Sequence, residues 1–218
     1  MTGALMIPAG LLAGVATLLR WHRWNADPAG TALTIALTAL AARALLAVGP
    51  VGTFWNMLRG YTSIPTVDLP LVLRDGLAIL CGYMLSRHAI NSWGQPRNLV
   101  RVRMFWLVTT VTIGSVHAVG PIHQTHMGTI AVGAGAIPVL VTAMYLRPET
   151  GPQRRILIIL HSAAITLVSA SLYTILYVYT GIDKAGGYGP DLLEALGITL
   201  LAAEALATGF YRATRPHQ

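Results

Sequence analysis

Long apolar runs alternate along this chain with short polar stretches. Seven runs approach the ~20 residues that a helix needs to cross a bilayer, near residues 3–20, 29–49, 69–86, 104–120, 127–146, 156–179 and 190–211. The connections are short except for 50–68 and 180–190. The pattern predicts an all-α integral membrane protein with seven transmembrane helices, forming a single domain over residues 1–218. The breakers fall where such helices tolerate them. Pro70 stands in the first turn of the third run, where a missing N–H costs nothing. Gly133 and Gly135 in the fifth run permit close approach of another helix, and Pro138 follows them. Asp191 stands where it caps the seventh run.

Composition agrees with lipid as the solvent. Of 218 residues, 54% are hydrophobic and only 11% are charged, against about 25% charged in a soluble domain. The charge then orients the helices. Arg20, Arg23, Arg87, Arg97, Arg101, Arg103, Arg147, Arg154, Arg155, Arg212 and Arg215 fall on one side of the seven crossings. The opposite loops hold only Arg59 and Lys184, while Arg43 and Arg74 lie inside apolar runs. The positive-inside rule places the arginine-rich side in the cytoplasm, so the amino terminus is outside and the carboxyl terminus inside. The first run has its positive charges after it and no small-residue cleavage site, which predicts an uncleaved helix. Trp21, Trp24, Trp93, Trp106 and Tyr211 mark the cytoplasmic boundary, and Trp55 and Tyr179 the outer one.

The net charge of +7 does not point to nucleic acid, because no basic stripe is interleaved with aromatics. Cys81 is the only cysteine. It excludes internal disulfides and cysteine-rich metal sites, and reads as a small buried residue. His117, His123 and His126 straddle a loop without the spacing of a helical zinc pair or supporting carboxylates, so no metal is expected. There is no phosphate-binding glycine loop, no GxSxG elbow and no aspartate-rich diphosphate motif. The last run has no lysine for a retinal Schiff base. No cofactor is expected.

Ionisable groups inside apolar runs carry the functional signal, since each costs several kcal/mol in lipid. Arg43, Asp75, Glu194 and His117 fall at nearly one level in the outer leaflet, on four different helices. One reading is an interhelical ion pair such as Arg43–Asp75 that fixes packing. The other is a chemical site. His161 and Glu204 form a second level nearer the cytoplasm, as a structural pair or a proton relay. On the sixth run Ser162, Thr166, Ser169, Tyr173, Tyr177 and Thr180 recur at spacings of three and four, one polar stripe. It is expected to turn inward, either as packing contacts or as the wall of a cavity.

With the acids placed, the chain resembles the compact seven-helix membrane-bound terpene cyclases of meroterpenoid pathways, fungal and drimentine-type actinobacterial. The resemblance implies proton-initiated cyclisation of a prenylated, lipid-like substrate without metal or diphosphate. It assigns one acid early in the chain, Asp75 or Asp68, and one near its end, Glu194 or Glu204. Arg43, Tyr173, Tyr177, His117 and Trp55 would then bind substrate, with the tyrosines facing a carbocation. The stretch PTVDLPLVLRDGL, after the long outer loop, is also similar to a seven-helix domain of actinobacterial proteins assigned as transporters. A transporter or sensor is the alternative, and a three-plus-one-plus-three helix layout fits its count. Pro152–Gln153, however, lies between the fifth and sixth runs, not where sugar transporters of that layout carry a Pro–Gln motif. Either way the partners expected are the bilayer of the cell membrane and a small apolar molecule, not nucleic acid.

Overall fold

A computed structural model describes residues 2–23, 28–46, 69–93, 98–119, 127–146, 150–180 and 189–213. Seven helices make up these residues: α1 (Thr2–Arg23), α2 (Pro28–Leu46), α3 (Leu69–Trp93), α4 (Asn98–Val119), α5 (Met127–Tyr145), α6 (Gly151–Thr180) and α7 (Gly189–Ala213). Each apolar run is thus a helix, and several extend past the run. Asn98 opens α4 well before the apolar stretch, and Gly151 opens α6. The α6 start is a capping box. The Thr150 N–H donates to Gln153 Oε1 at 3.1 Å, and the Gln153 N–H donates to Thr150 Oγ1 at 3.4 Å. The Pro152–Gln153 pair is therefore accounted for by the start of a helix.

Among the described residues, four helices are long and apolar enough to cross a membrane: α2 over Ala29–Leu46, α5 over Met127–Tyr145, α6 over Gly151–Leu176 and α7 over Gly189–Tyr211. The surface matches. Leu11, Val15, Leu18, Val108, Val111, Ile165, Leu172 and Leu196 are large apolar side chains left exposed, which a monomeric soluble protein would not present in such number. These are the features of a membrane protein.

Six of the helices close into a ring in the order α1, α2, α3, α5, α6, α7 and back to α1, while α4 packs chiefly on α3. The interior is built from small side chains. Ala9, Ala13 and Ala16 on α1, Ala36 on α2, Ala78 on α3, Ala136 on α5, Ala163 and Ala170 on α6 and Ala202 and Ala205 on α7 are all buried. Small residues let backbones approach and gain dispersion contacts where lipid supplies no hydrophobic drive between helices. The glycine expectation holds. A Cβ on Gly135 would run into the Gly82 backbone of α3, and one on Gly133 into Ser171 of α6.

Trp106, one of the aromatics expected near the cytoplasmic boundary, packs between helices. It is buried, its ring edge meets Phe105, and its indole N–H donates to Ser86 Oγ at 3.2 Å. Ser86 Oγ donates in turn to the Gly82 carbonyl at 2.9 Å. The bare backbone at Gly82 leaves the room that the indole fills. Trp106 is the peg that seats α4 on α3.

Candidate functional site

The buried face of each helix repeats every three or four residues, and the chemistry sits on those faces. On α2 the series Leu33, Leu37, Leu40 reaches Arg43, and on α3 Asp75 precedes Ala78, Cys81 and Leu85. On α5 Thr129 heads Val132, Ala136 and Val139, and on α7 Glu194 precedes Ile198 and Leu201. Four helices therefore send one polar side chain each to the interior, close to the helix ends that adjoin segments 47–68, 120–126 and 181–188.

Arg43 forms an ion pair with Glu194 through Nη1 and Oε1. The other carboxylate oxygen of Glu194 accepts the Thr129 hydroxyl at 2.7 Å, and Arg43 Nη2 donates to the same hydroxyl oxygen at 3.4 Å. Asp75 borders the group across Gly128: a Cβ on this glycine would lie 2.6 Å from Asp75 Oδ1 and 3.1 Å from Arg43 Nη2. Only hydrogen at residue 128 leaves the guanidinium and the second acid side by side. Asp75 and Glu194 are each 1% exposed. Arg74 and Asp191, both half-buried, act on Arg43 through their charges.

The ion pair seen for Arg43 is made with Glu194, and Asp75, the acid first expected there, stands beside the same guanidinium across Gly128. The expectation that Arg43, Asp75 and Glu194 share a level is met. The His117 side chain, the Tyr177 side chain, Trp55 and Asp68 lie outside the described residues.

Nearer the other end of the bundle, a second buried group replaces an expected one. Arg20, which the charge pattern places in a cytoplasmic loop, is 2% exposed. Its Nε donates to Thr34 Oγ1 at 3.2 Å, Nη1 to the Ala205 carbonyl at 3.1 Å and Nη2 to the Gly30 carbonyl at 3.3 Å. It clamps α1, α2 and α7. The signal is present in the sequence, because Arg20 continues the Ala9, Ala13, Ala16 stripe. Glu204 accepts the Thr208 hydroxyl at 2.7 Å on Oε1, and its Oε2 has no hydrogen-bond partner among the described residues. No contact joins it to His161, which is half-buried on α6, so the expected pair is not formed.

The polar stripe of α6 does not turn inward either. Ser162, Thr166 and Ser169 are half-buried and Tyr173 is 45% exposed. The inward face holds Ala163, Leu167, Ala170, Ser171 and Thr174. Hydroxyls on a helix satisfy themselves on the carbonyl four residues back, as Thr166 does on Ser162 at 2.7 Å, so nothing drives them inward. The Tyr173 ring sits at the amino end of α7, about 3.1 Å from where a Gly189 Cβ would lie.

Among the described residues no group of three His, Cys, Asp or Glu side chains could hold a metal ion. Comparison with family models, with curated proteins and with solved structures gives no match.

Proposed function

We propose that this chain is a multi-pass protein of the cell membrane, crossing seven times with its amino terminus outside. We further propose that it is a membrane-embedded terpene cyclase with Asp75 as its proton donor. The observation that carries this reading is a pair of fully buried carboxyls at one end of the bundle: Glu194, ion-paired to Arg43, and Asp75, which borders the same guanidinium across Gly128. A buried acid that keeps a proton at neutral pH is what alkene protonation needs. Glu194 is paired with Arg43 and accepts from Thr129 as the fixed anion, and Asp75, buried beside Arg43, is the acid that donates in this reading.

In the reaction, the Asp75 carboxyl gives its proton to a terminal alkene carbon or epoxide oxygen of a prenyl chain. An internal alkene closes on the cation, a C–C bond forms, and loss of a proton returns Asp75 to its starting state. The product has the mass of the substrate. Glu194 and Arg43 hold the field around Asp75, while Glu204 lies ten residues further along α7, about 15 Å away at 1.5 Å per residue, and takes no part.

The test is incubation of membranes holding the chain with a prenylated aromatic or indole and a search for a mass-neutral cyclised product. Asp75→Asn should abolish turnover and leave the yield of folded protein unchanged. Wild-type turnover by Asp75→Asn would refute the assignment.

One observation favours a second reading, a proton-coupled carrier. The ring consists of two consecutive three-helix units, α1–α3 and α5–α7, joined at the α3–α5 and α7–α1 seams, with α4 outside. Buried charge at two levels is separated by the fully buried Leu37, Leu40, Ile198 and Leu201. Proton uptake into liposomes driven by a solute gradient, with no cyclised product, would select it.

A further inference from the structure

The seating of α4 on α3 alone leaves a groove between α4 and α5, with α3 as its floor. It encloses about 430 Å³ and has Ile90, Val102, Phe105, Ile137, Pro138 and Val141 as its apolar walls. Its polar lining is gathered at one end. Asn98 and Arg101 occupy the first turn of α4, and Thr142 the last turn of α5. Thr142 is 4% exposed, and its hydroxyl oxygen has no hydrogen-bond partner among the described residues. Buried hydroxyls are ordinarily partnered, so this one is open to a ligand. The first turn of α4 also carries the positive end of its helix dipole, which favours an anion. Phe105 and Ile137, further from that end, are both exposed.

We infer that this groove is a binding site for one anionic phospholipid. The phosphate sits at Arg101 and the α4 amino end, Thr142 donates to an ester carbonyl, and one acyl chain lies along Phe105 and Ile137. Charge complementarity selects the head, and the order of the lining, polar at the end and apolar inward, selects a tail that runs into the bilayer. The site lies at the arginine-rich end, where anionic lipids concentrate in a cytoplasmic leaflet. It is independent of the acid cluster, so failure of either leaves the other untouched.

The experiment is native mass spectrometry of the delipidated full chain in detergent, titrated with phosphatidylglycerol or with phosphatidylcholine of the same chains. Wild type should take up one phosphatidylglycerol saturably, about tenfold tighter than phosphatidylcholine, and excess inorganic phosphate should not displace it. Arg101→Gln should remove that preference, weakening phosphatidylglycerol more than phosphatidylcholine, whose choline already offsets the phosphate charge. Thr142→Val, which keeps the shape, should weaken both lipids about threefold. Ile137→Trp should fill the groove and abolish both. Arg101 and Ile137 are exposed, so unchanged melting temperatures serve as the folding control. Equal affinity for the two lipids, unsaturable uptake, displacement by phosphate, or a preference that survives Arg101→Gln would overturn the inference. So would a dimer that Ile137→Trp disrupts whatever lipid is present.

Discussion

Arg43→Met removes the guanidinium that is ion-paired to Glu194 and keeps most of its apolar stem. What remains is Glu194 with the Thr129 hydroxyl on one oxygen, and Asp75 beside Gly128, without the cation that both acids adjoin. Breaking a buried pair in this way costs about 3–5 kcal/mol, because an uncompensated charge stays behind. A carboxyl can escape by taking up a proton. That escape costs about 1.4 kcal/mol for each pH unit above the ordinary glutamate value near 4.3, or about 4 kcal/mol at neutral pH. The penalty of Arg43→Met is therefore capped near 4 kcal/mol at pH 7 and should shrink to about 1 kcal/mol at pH 5. Glu194→Gln behaves differently. Arginine cannot give up its proton, but Asp75 beside Arg43 releases its own and takes over as counter-ion, and the new amide oxygen still accepts from Thr129. Its loss should be about 1–2 kcal/mol. The double variant Arg43→Met, Glu194→Gln should be no worse than Arg43→Met alone, a coupling of at least about 1 kcal/mol between the two sites. Unfolding of the purified chain in micelles of rising SDS fraction, at pH 5 and pH 7.5, measures all of these. Additive losses in the cycle, or a penalty for Arg43→Met that does not fall at low pH, would refute the reasoning.

Two further predictions concern the frame around the cluster. A cysteine placed at Gly186 should react with an impermeant maleimide added outside intact cells, and one placed at Gln95 should react only after permeabilisation; external labelling at residue 95 would break the seven-crossing topology. Trp106→Phe deletes the hydrogen bond to Ser86 and part of a buried ring, at a cost of about 2 kcal/mol. Hydrogen exchange should then rise in α4 while the six-helix ring stays protected, and uniform loosening of all helices would show that Trp106 is not what seats α4.

All seven helices are legible as apolar runs, and the four long and apolar enough to span follow a simple rule: a segment in lipid must be apolar over its length and satisfy its own backbone. That rule says where a helix runs and little about which face points inward. Arg20 reads as a loop charge because it ends an apolar run, yet it follows three alanines at helical spacing into the interior, where three acceptors satisfy it. The α6 stripe misleads for the opposite reason. A polar periodicity in lipid need not turn inward when hydroxyls bond to their own helix, and the alanine periodicity on the adjacent face is the better guide. The Arg43–Glu194 cluster is legible as a level, since residue counts from the helix ends give depth. Its pairing is not, because choosing Glu194 over Asp75 depends on which helices are neighbours and on the bare backbone at Gly128, and neither is written in one helix's pattern.

The two polar levels bear differently on the two proposed functions. A cyclase returns the proton it lends, so the outer cluster needs exchange with one side only and gains from a dry interior beneath it. Leu37, Leu40, Ile198 and Leu201 supply that dryness, all at 1% exposure or less. A carrier must pass a proton or a solute through the same layer on every cycle, and the layer offers no ionisable side chain on α2 or α7 to help. The inner level also works against passage. Arg20 is held by two carbonyls and a hydroxyl on two neighbouring helices, and moving either helix would strand a buried guanidinium. A clamp of that kind suits a scaffold whose helices stay in place while chemistry occurs at one end. The ring's three-plus-one-plus-three order alone does not outweigh it, since the same order arises whenever two sequential bundles close on each other. The packing of the interior thus suits fixed helices around a buried acid better than helices that must move, and so fits the proposed cyclase better than the carrier.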